Sequence, residues 1–352
     1  MLRQVRKHLL GSAAIAVDAA VTLAVETGSR RQPVGPSSHP ERRKFFERVL
    51  RDCEALTEER CFALPEETTP PRVVATRAER GLSLIDLRWP SHHELHFSEL
   101  AGRYGQSVPN RSAHARLFRG ERPRPVAVIV HGYMSGSYVL EPLLWPLAEL
   151  DARGFDVALF VLPFHGLRRT SAKRFIPEFP SADPRMVVEG FRQAVSDLRG
   201  LLRWLKREGH PNVGLFGMSL GGYTAALTAT IESNLSFLVP VLPLSSMPQL
   251  AQEQGMLSLA PDAARLEYQL LERVYRSVSP LARTPLIEPD RVLVIGGQHD
   301  RITPISHAEK LAQHFRAPLV RIPGGHLLQF GRRAAFQRAL ELIAQASGVS
   351  TH

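Results

Sequence analysis

Cysteine is scarce: Cys53 and Cys61 are the only two in 352 residues. That excludes a disulfide-built scaffold and any centre needing four thiolates. Lysine is also thin for a basic chain, with five against 39 arginines behind a net charge of +10. Aromatic residues make up 7%, and no zinc-finger spacing, dense lysine run or aromatic-interleaved basic strand is present. Nucleic acid is therefore not the expected partner, and the arginine- and alanine-heavy composition points to coding bias as readily as to a binding face. Long apolar runs are missing but for one, residues 9–25, which follows Arg3, Arg6 and Lys7. Asp18 interrupts it and no small-x-small cleavage site ends it, so it is a poor secretory signal and a marginal membrane span. At 100° per residue Gly11, Asp18 and Thr22 fall within about 40° of one another, a narrow polar stripe on an apolar helix. Packing on the protein's own body is the expectation, with peripheral membrane contact through residues 1–26 and a cleaved signal as the open alternatives.

What is present suffices for a large core without metals or disulfides: 44% of residues are hydrophobic and 22% charged. Breaker-rich stretches at residues 30–40 and 65–72 flank a charged segment with Phe45, Val49, Leu50 and Leu56 at helical spacing. If both cysteines ride on that helix they lie about 12 Å apart, too far for a disulfide. Free thiols fit a cytoplasmic protein.

From residue 82 the texture changes. Short apolar runs at 82–89, 113–118, 127–130, 157–162, 213–216, 237–242, 292–297 and 319–322 read as strands. Helical patterns lie at 185–207, 220–231, 305–315 and 332–346. Continuous apolar strands alternating with helices predict an α/β protein, a mostly parallel sheet of about eight strands covered on both faces. Residues 1–80 read as an N-terminal helical extension, and 81–352 as the α/β domain with a lid inserted at 245–288.

The sharpest motif is Gly217-Met218-Ser219-Leu220-Gly221, directly after the strand VGLF and opening a helix. A serine hydroxyl is a weak nucleophile and must be held clear of its neighbours toward a base. A tight strand-turn-helix does this, with Gly217 and Gly221 leaving room and the Leu220 N–H offered to a developing oxyanion. A base and an orienting acid must follow. One strand runs into Gln298-His299-Asp300 and the next into Gly324-Gly325-His326. Both thus sit past strand carboxyl ends, the side on which α/β sheets bind ligands. The order Ser219, Asp300, His326 is that of one serine-triad fold among several. His131-Gly132-Tyr133 follows the strand at 127–130, and the Tyr133 N–H is the second oxyanion candidate; His131 is expected to orient that loop.

In combination these motifs closely resemble the α/β-hydrolase superfamily over residues 82–352. Trp89-Pro90-Ser91 and the segment LPFHGLR at 162–168 are similar to its poorly characterised α/β-hydrolase domain-containing proteins. The resemblance implies Ser219 as nucleophile, His326 as general base and then acid, and Asp300 as the orienting acid. No cofactor is implied. His92-His93-Glu94-Leu95-His96 lacks zinc-protease spacing and a third ligand, so no metal is expected. His131, His165, Arg168 and Arg169 are candidate substrate contacts, the arginines suiting an anionic or lipid ester, and Lys173, Arg174, Phe164, Phe175 and Phe179 share their loop. The reading is a serine hydrolase of carboxylic esters or thioesters. A non-catalytic binding protein on this fold, or an acyltransferase or perhydrolase using the same triad, is the alternative. Acyl chain, leaving group and oligomeric state stay open.

Overall fold

The computed structural model describes residues 12, 14, 15, 18, 36, 38–63, 69–79, 81–170 and 176–349. Arg3, Arg6, Lys7, most of the apolar run, Lys173, Arg174 and Phe175 lie outside them. The strands are β1 (Arg72–Glu79), β2 (Leu82–Pro90), β3 (Ser112–Arg119), β4 (Val126–Val130), β5 (Asp156–Phe160), β6 (Val213–Met218), β7 (Leu238–Val241), β8 (Val294–Gly297) and β9 (Leu319–Ile322). They form one sheet in the order β1-β2-β3-β5-β4-β6-β7-β8-β9. From β5 to β9 neighbouring strands are parallel, while β1, β2 and β3 pair antiparallel with one another and β3 pairs antiparallel with β5.

Burial explains the order. β4 and β5 are buried at every residue and β6 at all but its last, as central parallel strands covered on both faces must be. β3 alternates buried with partly exposed positions, as an outer strand covered on one face does. The expected eight strands are all present. The ninth, β1, is exposed at every residue, so it has no apolar periodicity to announce it and makes part of the expected helical extension a strand.

The longer helices are α1 (His39–Glu54), α2 (Pro184–Arg207), α3 (Leu220–Thr228), α4 (Met247–Glu253), α5 (Pro261–Val274), α6 (Ile305–His314) and α7 (Arg332–Ala346). The apolar core is split by the sheet. One layer gathers Val49, Leu50, Phe191, Leu198, Leu227 and Leu271 from α1, α2, α3 and α5; the other packs Phe336, Leu340 and Ile343 of α7 on Trp145, Phe216 and Phe237. α1 ends at Glu54, and Cys61 sits on a separate turn, Glu58–Cys61, so the two cysteines do not share a helix as supposed. Both thiols are free and buried, and burial is the main cause pushing Cys53 up to about 12 and Cys61 to about 11. The segment 245–288, expected to form a lid, holds α4 and α5, and α5 is tied to α1 through Glu267, which accepts from His39 Nδ1 at 2.7 Å. Among the described residues no helix is long and apolar enough to cross a membrane.

Candidate active site

Ser219 closes β6 and opens α3 with φ 56° and ψ −116°. A positive φ is costly for a residue with a Cβ and persists only where the surroundings enforce it. They do so here through close packing. A Cβ on Gly217 would lie 2.2 Å from the Gly221 carbonyl oxygen, and one on Gly221 would lie 2.1 Å from that of Val130. Only glycines let the first turn of α3 press this hard on the end of β4. The Ser219 N–H donates to Val241 O at 3.0 Å, and its carbonyl accepts from Tyr223 N at 3.1 Å and Leu244 N at 3.2 Å.

The loop after β4 lies beside the serine: a Cβ on Gly132 would sit 3.5 Å from Ser219 Cβ. Two buried groups fix its course. Glu141 accepts from Gly136 N and Trp145 Nε1, at 2.8 and 2.9 Å, and from the Ser135 hydroxyl. His131 donates from Nδ1 to Gly132 O at 2.7 Å and accepts the Leu162 N–H on Nε2 at 3.1 Å, joining the ends of β4 and β5. Burial lowers the His131 pKa, so its ring stays neutral in this role.

Asp300 follows β8 and His326 follows β9, both buried. His326 Nδ1 lies 2.8 Å from Asp300 Oδ2; a carboxylate only accepts, so in the neutral ring Nδ1 carries the proton and Nε2 is left with a lone pair able to accept one. The other oxygen, Oδ1, accepts from Ile302 N at 2.9 Å and Thr303 N at 2.7 Å. One carboxylate thus caps its own turn and orients the imidazole. Thr303 Oγ1 lies 3.1 Å from Asp300 Oδ2, 3.0 Å from His326 Nδ1 and 3.0 Å from Leu242 O. Burial opposes charging of the His326 ring, but Asp300, by charge and hydrogen bond, together with the Asp18 carboxylate, outweighs it and holds the pKa above the ordinary value. Gln329, in the same loop, reaches Met218 Sδ at 3.7 Å, next to Ser219.

The four candidate substrate contacts separate on burial. Arg168 is fully buried, its guanidinium 2.7 Å from Asp197 Oδ2 and donating to the carbonyls of Asn110 and Val161. It joins its loop to α2, and no substrate phosphate can reach it; the expected contact is corrected accordingly. His165 is fully buried as well, 2.8 Å from Pro163 O, and burial holds its pKa well below the ordinary value. His131 is occupied as described, and Arg169 alone is part-exposed. The histidines of the 92–96 cluster diverge: His92 accepts from Thr69 N, His93 meets Glu189 at 2.9 Å, and His96 reaches Asp52 O at 2.7 Å. Thr303, Glu141 and Asp18 were not anticipated as parts of the site. The hydroxyl three residues after Asp300 was the available signal for Thr303.

A sequence profile of the alpha/beta hydrolase family matches residues 127–339. Two uncharacterised proteins of Mycobacterium tuberculosis (strains CDC 1551 / Oshkosh and ATCC 25618 / H37Rv) are each 32% identical over 251 residues, 70% of this chain and 60% of theirs. The match thus spans about 60% of these relatives' length. Among solved structures, an acetyl xylan esterase from Paenibacillus sp. R4 superposes with a TM-score of 0.55 at 16% identity, covering 84% of this chain and 93% of that one. Acetyl xylan esterase 1 from Thermoanaerobacterium sp. JW/SL YS485 gives 0.53 at 16% identity, covering 88% and 95%. An esterase from Pyrococcus furiosus gives 0.51 at 14%, covering 81% and 98%. At such identities these likenesses concern the fold. The profile match runs from β4, ahead of the loop beside Ser219, into α7, beyond His326, and on that ground the chain belongs to the alpha/beta hydrolase family.

Proposed function

We propose that the protein is a serine hydrolase of carboxylic esters or thioesters, working through an acyl-enzyme on Ser219. The observation that carries this is the strained Ser219 at the end of β6, with the Asp300–His326 pair at 2.8 Å past β8 and β9. His326 Nε2 takes the Ser219 proton as Oγ attacks the acyl carbonyl. The N–H groups of Leu220 and Tyr133 receive the oxyanion. The imidazolium, steadied by Asp300, protonates the leaving alkoxide or thiolate, and the neutral ring then activates water to release the acid.

Large apolar side chains stand exposed on the segments following the strands: Val139, Leu140 and Leu143 after β4, Leu167 after β5 and Leu327 after His326. They favour an apolar acyl or amphipathic substrate. With Arg168 sequestered, the case for an anionic headgroup rests, among the described residues of this loop, on the part-exposed Arg169. The test is labelling by a fluorophosphonate probe, with hydrolysis of p-nitrophenyl esters, in wild type and Ser219→Ala. Labelling and turnover that both vanish in the folded variant support the reading. Turnover persisting in Ser219→Ala sinks it, and an unlabelled wild type favours the non-catalytic alternative.

A further inference from the structure

The loops bearing the acid and the base are held together by a side chain from the far end of the chain. Asp18 is fully buried. Its Oδ2 accepts from the backbone N–H of His326 at 2.7 Å and of Arg301 at 3.3 Å, and its Oδ1 accepts from that of Leu327 at 3.0 Å. One carboxylate therefore bridges the residue after Asp300 and the residue that is the base itself. Ala14, one helical turn before Asp18 and equally buried, lies on the same side. A Cβ on Gly325 would fall 2.5 Å from Asp18 Oδ2 and 3.1 Å from Ala14 Cβ, so the contact needs glycine just before His326.

We propose that Asp18 is a positioning residue, its carboxylate closing the turn that carries His326, so that an ordered base depends on this contact. This rests on the serine-hydrolase reading above. Physically, three backbone donors in a water-poor site take a charged acceptor, which fixes both loops relative to each other. Among the described residues the charged groups facing His326 are Asp300 from the loop after β8 and Asp18, both favouring the imidazolium that forms as Ser219 attacks. Of the polar stripe expected at Gly11, Asp18 and Thr22, only Asp18 lies among the described residues, and it faces the turn that carries His326.

The experiment uses the full-length chain and p-nitrophenyl acetate. Asp18→Asn keeps shape but loses the charge and one acceptor; kcat should fall on the order of 10²-fold with little change in KM, as expected of a base displaced by about an ångström. The acidic limb of kcat/KM should move to lower pH, which a merely structural contact would not cause. Gly325→Ala, which reaches the same contact from the other side, should reproduce the loss of kcat, and should cost much less when added to Asp18→Ala because the clash partner is gone. Wild-type kcat and an unmoved limb in Asp18→Asn would overturn the proposal, as would full additivity of Gly325→Ala with Asp18→Ala. A wild type that labels at Ser219 with unaffected Asp18 variants rejects this inference alone. A wild type that neither labels nor turns over rejects the hydrolase reading and the Asp18 role with it.

Discussion

The hydroxyl of Thr303 lies 3.1 Å from Oδ2 of Asp300, the oxygen that also faces the His326 ring. A buried carboxylate oxygen shared between an imidazole and a hydroxyl has its direction set by both. Thr303→Val keeps the volume and removes the hydroxyl, whose single proton is divided between Asp300 Oδ2 and Leu242 O, a loss of at most about 1.5–3 kcal/mol for a hydrogen bond to a charged group. We expect kcat to drop about tenfold by this measure, on the order of 1.4 kcal/mol per decade, with the fold intact and Thr303→Ser near wild type. Steady-state kinetics on p-nitrophenyl acetate check this, and an unaffected Thr303→Val would remove the threonine from the site.

The pH profile follows from the raised pKa of His326. Burial disfavours its charged form, but Asp300 and Asp18 prevail. The base must be neutral to take the Ser219 proton, so kcat/KM should rise with pH along a limb lying above 6.5, the ordinary histidine value. The same shift makes the ring's contribution to stability full below that ordinary value and lost as pH rises through the folded-state value. In Asp300→Asn the limb should move to lower pH while the rate falls on the order of 10⁴-fold. A limb at or below the ordinary value in the wild type would contradict the electrostatics described.

Ser219 is held at φ 56° and ψ −116°, which glycine adopts without penalty. Ser219→Gly should therefore abolish turnover and stabilise the fold by about 1 kcal/mol, the lower end of the strain expected at such a position. Ser219→Ala keeps the Cβ and should gain little. Denaturant unfolding of the three proteins decides the matter; a glycine variant less stable than the alanine variant by about 0.5–1 kcal/mol, the ordinary entropic cost of glycine, would mean that no strain is stored at the turn.

Arg168 and Asp197 form a fully buried pair, and Asp197 also accepts from the Ser91 hydroxyl at 2.8 Å. Arg168→Met removes the charge at similar length and leaves Asp197 uncompensated, a cost of about 3–5 kcal/mol. Urea unfolding should show that loss, while the preference for anionic over neutral esters stays as in wild type. A stable variant with raised KM for anionic esters alone would restore the arginine to substrate binding.

The central strands were legible because burial on both faces leaves unbroken apolar runs, as VAVIV of β4 does. Ser219, Asp300 and His326 were singled out by position at strand ends, and the structure does gather the acid and the base. β1 escaped notice because a fully exposed edge strand carries no apolar signal. Arg168 misled because its environment is set by Asp197, 29 positions on and in another element. A loop arginine reads as solvated until its partner is known. Asp18 was visible only as a polar interruption. What it binds lies 308 residues away, a pairing that periodicity cannot encode.

The tie between α1 and α5 bears on how this chain can be cut. Glu267 is buried on α5 and is served by His39 at 2.7 Å and, from its own insertion, by Ser258 N at 2.8 Å, with Arg42 at 3.5 Å. α1 and α5 are thus joined around one buried carboxylate although they come from two separate stretches of sequence. A truncation at residue 81 would remove β1 together with α1 and take from the Glu267 carboxylate its partners His39 and Arg42. Any shortened form for crystallisation, or any transplant of this insertion into a related enzyme, must carry residues 38–54 with it.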